Sequence, residues 1–362
     1  SAPRVAWTPP SAAEHPLGAR AWTRTAPLDD GWRLGSFTGL ARGAHATHDP
    51  HDDGADGADA PEALGDATAS EAPPEAMPDA MANATADATP DRARAADDAD
   101  VPLAAFPASA QAGLFFHEVL ERHDPAHPDA LRPLVEERLA AYGFDAERWG
   151  APVSDELRRV LDAPLTPARD GAPALRLAHV GAGDRLAELR FELPACAGDL
   201  AHGRAPHPIT AAALADVFRA HPGGALDDDA LAAYADRVAA LGFRPLHGFL
   251  TGAIDLVARH GGRWWLLDYK SNRLGPRRAD YAPDRLRREM TEAHYVLQYH
   301  LYALALHRWL ALRVPGYDWD RDVGGACWVF LRGVGEGTGV FLDRPPRARI
   351  EALDRLFRTG RA

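Results

Sequence analysis

Hydrophobic and polar positions follow two different periods along residues 104–362. Within 109–123, apolar residues recur three and four positions apart, which predicts an amphipathic helix with His117 near its middle. Within 185–193, apolar and charged residues alternate, which predicts a half-buried strand with Glu188 on its polar face. A further strand is expected at 326–332. Further helices are expected at 129–142, 153–162, 209–220, 227–241, about 283–312 and 346–359.

Two further strand-like runs, 249–259 and 263–270, flank the pair Gly261-Gly262. A Gly-Gly pair between two strands is typical of a two-residue hairpin, because both central residues need a positive φ. The turn therefore predicts both the hairpin and the register in which its strands pair.

That register places Asp255 directly opposite Asp268, with Lys270 on the same face two residues later. Carboxylates so placed have Cβ atoms roughly 5 Å apart, and they repel by on the order of 3 kcal/mol at an effective dielectric near 20. Because the neighbouring residues are apolar, a bound divalent cation is the expected resolution. The alternative is an exposed hairpin whose acids point into water.

Lys270 is the only lysine among the 40 Lys and Arg residues of the chain. Arginine replaces lysine readily as a solvated charge but not inside a site, where a compact ammonium differs from a planar guanidinium. The position of Lys270 at the end of an apolar strand therefore indicates a specific role. The alternative is that one lysine has persisted by chance in an arginine-rich composition.

The net charge of −12 belongs to one segment, because residues 41–100 hold 15 acidic and three basic residues and the remainder balances. This segment is rich in Ala, Asp, Pro and Gly and poor in large apolar residues. It cannot bury enough apolar surface to offset its ordering entropy, so we expect it to be disordered. The roughly 260 residues that follow suffice for one sizeable core.

Several classes of protein are excluded by the sequence. Cys196 and Cys327 are the only cysteines, which excludes a four-cysteine metal site and is consistent with a reducing cytoplasm. No apolar run is long enough to span a membrane, no signal peptide is present, and no phosphate-binding P-loop is found. Since the chain begins with Ser, we expect it to be the C-terminal part of a longer protein.

Residues 270–290 contain seven basic and three acidic residues. A basic stretch that begins at a candidate catalytic lysine is typical of a surface that binds a phosphate backbone. A solvated helix face is an equally good interpretation of any single arginine in it.

Two acids on adjacent strands, with a lysine two residues after the second, resemble the PD-(D/E)xK nuclease superfamily. Longer stretches resemble the nuclease domain of the RecB subunit of bacterial RecBCD (exodeoxyribonuclease V). These stretches are Ser36–Leu40, Gly113–Glu118, Gly252–Leu256, Asp268–Asn272, Leu297–Tyr302 and Gly324–Gly333. Two departures are Leu114, where the family often has a small hydroxyl residue, and the insertion after Leu40.

The resemblance implies an α/β fold with the superfamily core, in which helices flank a mixed central sheet in the order α-β-β-β-α-β. It also implies three parts. Residues 1–40 would be a linker and the start of the nuclease region, 41–103 a disordered acidic insertion, and 104–362 the nuclease domain.

By resemblance, His117, Asp255 and Asp268 would ligate Mg²⁺, with Mn²⁺ or Ca²⁺ as substitutes. The implied catalytic residues are Lys270, Asp268, Asp255, Glu188, Gln298 and Tyr302. Taken alone, His117 would more often be a core or surface histidine. Gln298 and Tyr302 share a helix face that either points to the catalytic hairpin or packs in the core.

The implied function is Mg²⁺-dependent hydrolysis of phosphodiester bonds in linear DNA during recombinational repair of double-strand breaks in the cytoplasm. The implied partners are DNA, RecC-like and RecD-like subunits, and RecA. The alternative is a non-catalytic module of the same shape that binds DNA or proteins. The sequence disfavours it, because decayed sites lose the acids or the lysine and this chain retains them.

Overall fold

A six-stranded mixed sheet lies between two layers of helices in the computed structural model, which describes residues 33–41, 100–168, 171–195 and 207–361. The strands are β1 Arg33–Ser36, β2 Arg185–Ala195, β3 Gly248–His260, β4 Arg263–Lys270, β5 Val323–Phe330 and β6 Val340–Asp343. The helices are α1 Phe37–Ala41, α2 Ala110–Arg122, α3 Leu131–Ala141, α4 Ala146–Asp162, α5 Ala211–Ala220, α6 Asp228–Ala239, α7 Pro283–Glu292, α8 Tyr295–Arg313, α9 Trp319–Asp322 and α10 Arg347–Thr359. The α-β-β-β-α-β order of the core, formed by α2, β2, β3, β4, α8 and β5, is confirmed.

Strand β3 is the centre of the sheet. Strand β2 pairs with it antiparallel along one edge, while β1 (parallel) and β4 (antiparallel) share the other edge. Strand β1 pairs with positions 248–251 and β4 with positions 256–260, so positions 252–255 separate these two partners. Strand β5 then adds parallel to β4, and β6 adds antiparallel to β5. The sheet therefore opens where β3 carries Asp255.

Each face of the sheet covers its own apolar core. Ile254, Leu266 and Trp328 pack with helices α5–α8 and α10 on one side. Leu267 and Val329 pack with α2–α4 on the other side. Burial on both faces explains why β4 and β5 are nearly continuous apolar runs, as expected of central parallel strands.

Most predicted helices begin where a polar side chain caps the first turn. Ser109, Thr210 and Asp227 each accept a hydrogen bond from the backbone N–H three residues later. Such caps satisfy backbone donors that the helix itself leaves without partners. These three helices begin within one or two residues of the predicted starts.

The prediction of one long helix over 283–312 is wrong. The chain forms two helices, α7 and α8, with a break at Ala293 and His294. His294 has a φ of 57°, a left-handed conformation that interrupts an α-helix. No glycine or proline marks this break, so composition does not reveal it.

Other boundaries also differ from the predictions. Helix α4 begins at Ala146 rather than at 153, because Asp145 caps it and Pro152 is accommodated inside it. The strand predicted at 326–332 lies at Val323–Phe330, and strands β1 and β6 were not predicted. Most of the predicted disordered segment and Cys196 lie outside the described residues. Within the part that is described, no helix is long and apolar enough to cross a membrane.

Candidate metal and catalytic site

The candidate site lies where strands β3 and β4 part. Their paired positions run from His260 with Arg263 to Leu256 with Leu267, which confirms the predicted hairpin register over this length. Asp255 and Asp268 are the next positions on the two strands.

At this point a side chain of β3, rather than a backbone carbonyl, accepts the hydrogen bond from β4. The backbone N–H of Tyr269 donates a hydrogen bond of 2.7 Å to Asp255 Oδ2. Because this bond satisfies a backbone donor at the end of the paired region, Asp255 holds the parted strands in a defined geometry. The hydrogen bond from the Tyr269 N–H stabilises the carboxylate of Asp255, and it thus partly relieves the predicted repulsion between Asp255 and Asp268.

His117 reaches this opening from helix α2. Its Nδ1 lies 3.4 Å from Asp255 Oδ2, and its ring meets the ring of Tyr269 edge-on at 6.1 Å. The helix packs against the sheet through an apolar core in which its Phe116 joins Leu267 of β4 and Val329 of β5. The side chain of His117 is buried, which fixes its direction toward the acids.

Glu188 approaches the same opening from β2. Its neighbours Ala187 and Leu189 pair with β3 in regular register, whereas Glu188 itself has a φ of 47°. A left-handed conformation at a non-glycine residue costs on the order of 1 kcal/mol and is common at functional sites. Possible ligand atoms of His117, Glu188 and Asp255 lie within 4.8 Å of one another.

The electrostatics of this three-residue cluster suit a cation. Burial, followed by repulsion from Asp255, raises the pKa of Glu188 to about 7, although His117 acts in the opposite direction. Two carboxylates and an imidazole at this separation form an oxygen-rich donor set of the kind that hard divalent cations take. A cation would stabilise the charged form of Glu188 that burial penalises. The residues present therefore fit a divalent metal.

Asp268 and Lys270 form a second, adjacent pair. Lys270 Nζ lies 3.0 Å from Asp268 Oδ2, and both side chains are buried. Lys270 Nζ also lies over the ring of Tyr295, 4.1 Å from its centroid. The resemblance implies that Asp268 is a metal ligand together with His117 and Asp255, and this stays a prediction. In the structure, Glu188 lies with His117 and Asp255, and Asp268 contacts the lysine.

Gln298 and Tyr302 lie in the core, on the α8 side of the sheet. Gln298 Nε2 donates a hydrogen bond of 3.2 Å to the Tyr302 hydroxyl, and its Oε1 accepts one of 3.3 Å from the indole of Trp328. Trp328 is the strand partner of Asp268. The pair is therefore buried and linked to the strand neighbour of Asp268, and its catalytic role stays a prediction.

Part of the basic stretch serves the fold. Arg273 donates to the carbonyl of Phe106, and Arg278 donates to the carbonyl of Val334. Arg287 pairs with a neighbouring acid, Asp284, on α7. These three arginines already bind groups of the chain, so they are weaker candidates for contact with phosphate than the other basic residues of the stretch.

Sequence reasoning missed the residues that surround Lys270. Asn272 Nδ2 donates hydrogen bonds to Glu289 Oε1 (3.0 Å) and to the Tyr295 hydroxyl (3.2 Å). Burial raises the pKa of Glu289, while the hydrogen bond from Asn272 acts against it. The only signal in the sequence was the position of Asn272, two residues after the lysine.

The raised pKa of Glu188 predicts a dependence of stability on pH in metal-free protein. A carboxyl whose pKa is higher in the folded state binds more protons folded than unfolded, so the free energy of unfolding falls as pH rises from about 4.5 to about 7. Partial exposure limits the effect to about 1–2 kcal/mol. Urea denaturation in EDTA at pH 5 and pH 7 should show this loss in the wild type.

The Glu188→Gln variant isolates the contribution of this carboxyl, since all other groups titrate in both proteins. We expect the wild type to lose more stability than the variant between pH 5 and pH 7. Equal losses in the two proteins would contradict the assignment of a raised pKa to Glu188.

Comparison with known proteins agrees with this geometry. A family model described as the PD-(D/E)XK nuclease superfamily matches residues 90–359. The chain is 41% identical over 281 residues to RecBCD enzyme subunit RecB of Mycobacterium tuberculosis (strain ATCC 25618 / H37Rv), which covers 73% of the chain and 25% of that protein.

Two other relatives carry the same name. RecBCD enzyme subunit RecB of Mycolicibacterium smegmatis is 34% identical over 98% of the chain and 31% of that protein. The Escherichia coli (strain K12) subunit is 33% identical over 70% of the chain and 19% of that protein. The chain thus spans less than a third of these relatives. The family model matches residues 90–359, and the acids and the lysine are buried at the opening of a mixed sheet. The chain therefore belongs to the PD-(D/E)XK nuclease superfamily.

Proposed function

We propose that this chain is the nuclease part of a RecBCD-type helicase–nuclease, and that it hydrolyses phosphodiester bonds of linear DNA with Mg²⁺. The observation that carries the proposal is the juxtaposition of two groups of side chains at the opening of the sheet. These are the cluster of His117, Glu188 and Asp255 and, on the next strand, the pair of Asp268 and Lys270. An oxygen-rich cation site beside a fixed ammonium is suited to a reaction that concentrates negative charge on a phosphate.

In this proposal His117, Glu188 and Asp255 hold the metal, with Asp268 next to them. The metal would activate the attacking water and neutralise charge on the scissile phosphate. Lys270 orients that water or stabilises the charge that develops in the transition state. Asp268 holds the ammonium of Lys270 through their 3.0 Å contact. Mn²⁺ or Ca²⁺ would occupy the same donors.

The names of the relatives support a wider role, because they describe subunits of a RecBCD enzyme. We infer that the full protein works with RecC-like and RecD-like subunits on DNA, in the cytoplasm. We further infer a role in recombinational repair of double-strand breaks, with RecA as a later partner. These partners and this pathway rest on the likeness alone.

The first experiment measures degradation of linear DNA by the 362-residue chain with Mg²⁺, beside Asp268→Asn and beside wild type in EDTA. We expect loss of cleavage by about 100-fold or more in the variant and in EDTA, since each removes charge stabilisation at the phosphate. Asp236→Asn, a change of the same type at an exposed position on α6, should cleave like the wild type.

Three outcomes are informative. Cleavage lost in Asp268→Asn but retained in Asp236→Asn supports the proposal. Cleavage that persists in EDTA contradicts the metal dependence. A wild type that binds DNA but does not cleave it, with Mg²⁺ or with Mn²⁺, would favour the non-catalytic module instead.

A further inference from the structure

We propose that Tyr295 is a positioning residue that holds the ammonium of Lys270 in place through the face of its ring. The inference rests on the proposed function, since Lys270 acts only if the chain cleaves DNA. Lys270 Nζ lies 4.1 Å from the centroid of the Tyr295 ring. Both side chains are almost fully buried, so the contact is shielded from water. Shielded contacts between a cation and an aromatic face are stronger than exposed ones.

The ring itself is fixed by its surroundings. Its hydroxyl accepts a hydrogen bond of 3.2 Å from Asn272 Nδ2, and its ring centroid lies 6.5 Å from that of Phe330, with the two rings tilted. Asn272 follows Lys270 by two residues, and Phe330 is the strand partner of Lys270. Strand β4 and the residues after it therefore supply the ammonium and Asn272, and the neighbouring strand β5 supplies Phe330.

The break between helices α7 and α8 brings Tyr295 to this position. Tyr295 is the first residue of α8, directly after His294 with its φ of 57°. A continuous helix would carry Tyr295 further along the axis of α7, because each helical residue has a fixed rotation and rise. The helix break, which the sequence did not predict, therefore places Tyr295 next to Lys270.

An aromatic face differs chemically from a second carboxylate as a partner for the lysine. Asp268 already lies 3.0 Å from the ammonium. A carboxylate partner offsets part of the positive charge that a phosphate needs to meet, and Glu289 also interacts with the charge of Lys270. The face of a neutral ring attracts the cation without cancelling its charge. Tyr295 therefore fixes the position of Lys270 and leaves its charge available.

The single lysine of the chain permits a direct spectroscopic test. Protein labelled with ¹³C-lysine gives one set of lysine side-chain signals, because Lys270 is the only source. Protons held over the face of an aromatic ring are shifted upfield by its ring current. In metal-free wild type we expect upfield Hε signals. Tyr295→Phe should retain the shift, and Tyr295→Leu should lose it.

The kinetic test compares the same variants. We expect Tyr295→Leu to lower kcat by about 2- to 30-fold, the range that corresponds to one cation–aromatic contact. KM for DNA and the Mg²⁺ concentration at half-maximal rate should not change. Tyr295→Phe keeps the aromatic face and should have a kcat near the wild-type value, whereas a role carried by the hydroxyl would predict a loss in this variant too.

The outcomes separate this inference from the proposed function. Lysine signals near their random-coil positions in a folded wild type overturn the inference, whether or not the chain cleaves. Full activity of folded Tyr295→Leu, beside an inactive Lys270→Ala, overturns it while leaving the nuclease proposal intact. An inactive wild type that shows the expected ring-current shifts contradicts the nuclease proposal alone.

Discussion

Replacing Lys270 by alanine is expected to lower the rate of DNA cleavage by about 100- to 1,000-fold or more. Removal of one preorganised group that stabilises charge in a transition state typically has an effect of this size. No second lysine can substitute, because Lys270 is the only lysine in the sequence, and its ammonium is buried at the site. Rates of degradation of linear DNA under saturating Mg²⁺ measure the loss.

Two controls make this result specific. Lys270→Arg keeps the charge but replaces a compact ammonium by a planar guanidinium, and we expect it to stay well below the wild-type rate. Arg358→Ala removes an exposed cation from α10 and should leave the rate unchanged. A folded Lys270→Ala protein with wild-type activity would refute the catalytic assignment.

The same substitution has a cost in stability that must be measured beside it. Truncating Lys270 leaves Asp268 buried without its lysine partner, and breaking a buried pair in this way costs about 3–5 kcal/mol. The double variant Lys270→Ala, Asp268→Asn should recover part of this loss in urea denaturation. It should not recover cleavage, which separates the structural from the catalytic effect.

The parts of the site that the sequence predicted are those governed by local rules. The Gly261-Gly262 turn fixes the hairpin register, and every paired position from His260 to Leu256 follows from it. The lysine lies on the strand carrying Asp268 for the same reason. Periodicity predicted helix α2 around His117, because one face of that helix is continuously apolar.

The parts that it missed depend on conformations without a local signature. The alternating pattern of β2 places Glu188 on a polar face, but it predicts neither the left-handed φ of this residue nor its position near His117 and Asp255. His294 likewise breaks a helix that its neighbours would continue. Both residues adopt backbone states that non-glycine residues rarely take, and tertiary contacts must select them. Such selection is invisible to propensity and periodicity.

Asp255→Asn should abolish cleavage and weaken cation binding together. Asp255 lies at the meeting point of the site, within 3.4 Å of His117 Nδ1 and hydrogen-bonded to Tyr269 N. The amide oxygen of asparagine can still accept the bond from Tyr269, so the parted strands keep their geometry. It lacks the negative charge that a divalent cation needs from this ligand. We therefore expect a folded protein with a disabled metal centre.

Titration calorimetry with Mn²⁺ supplies the measurement, because it reports on binding in the absence of DNA and independently of turnover. We expect the affinity of Asp255→Asn to fall by about 10-fold or more, in line with loss of about 1.4 kcal/mol or more of binding free energy. Asp155→Asn, at an exposed acid of α4, should bind like the wild type. Unchanged affinity in Asp255→Asn would place the cation elsewhere.

Asp268 lies with Lys270 rather than with His117 and Glu188. The loss of Mn²⁺ affinity in Asp268→Asn should therefore be smaller than in Asp255→Asn. That order of effects would assign the principal ligands to the cluster and leave Asp268 with the lysine.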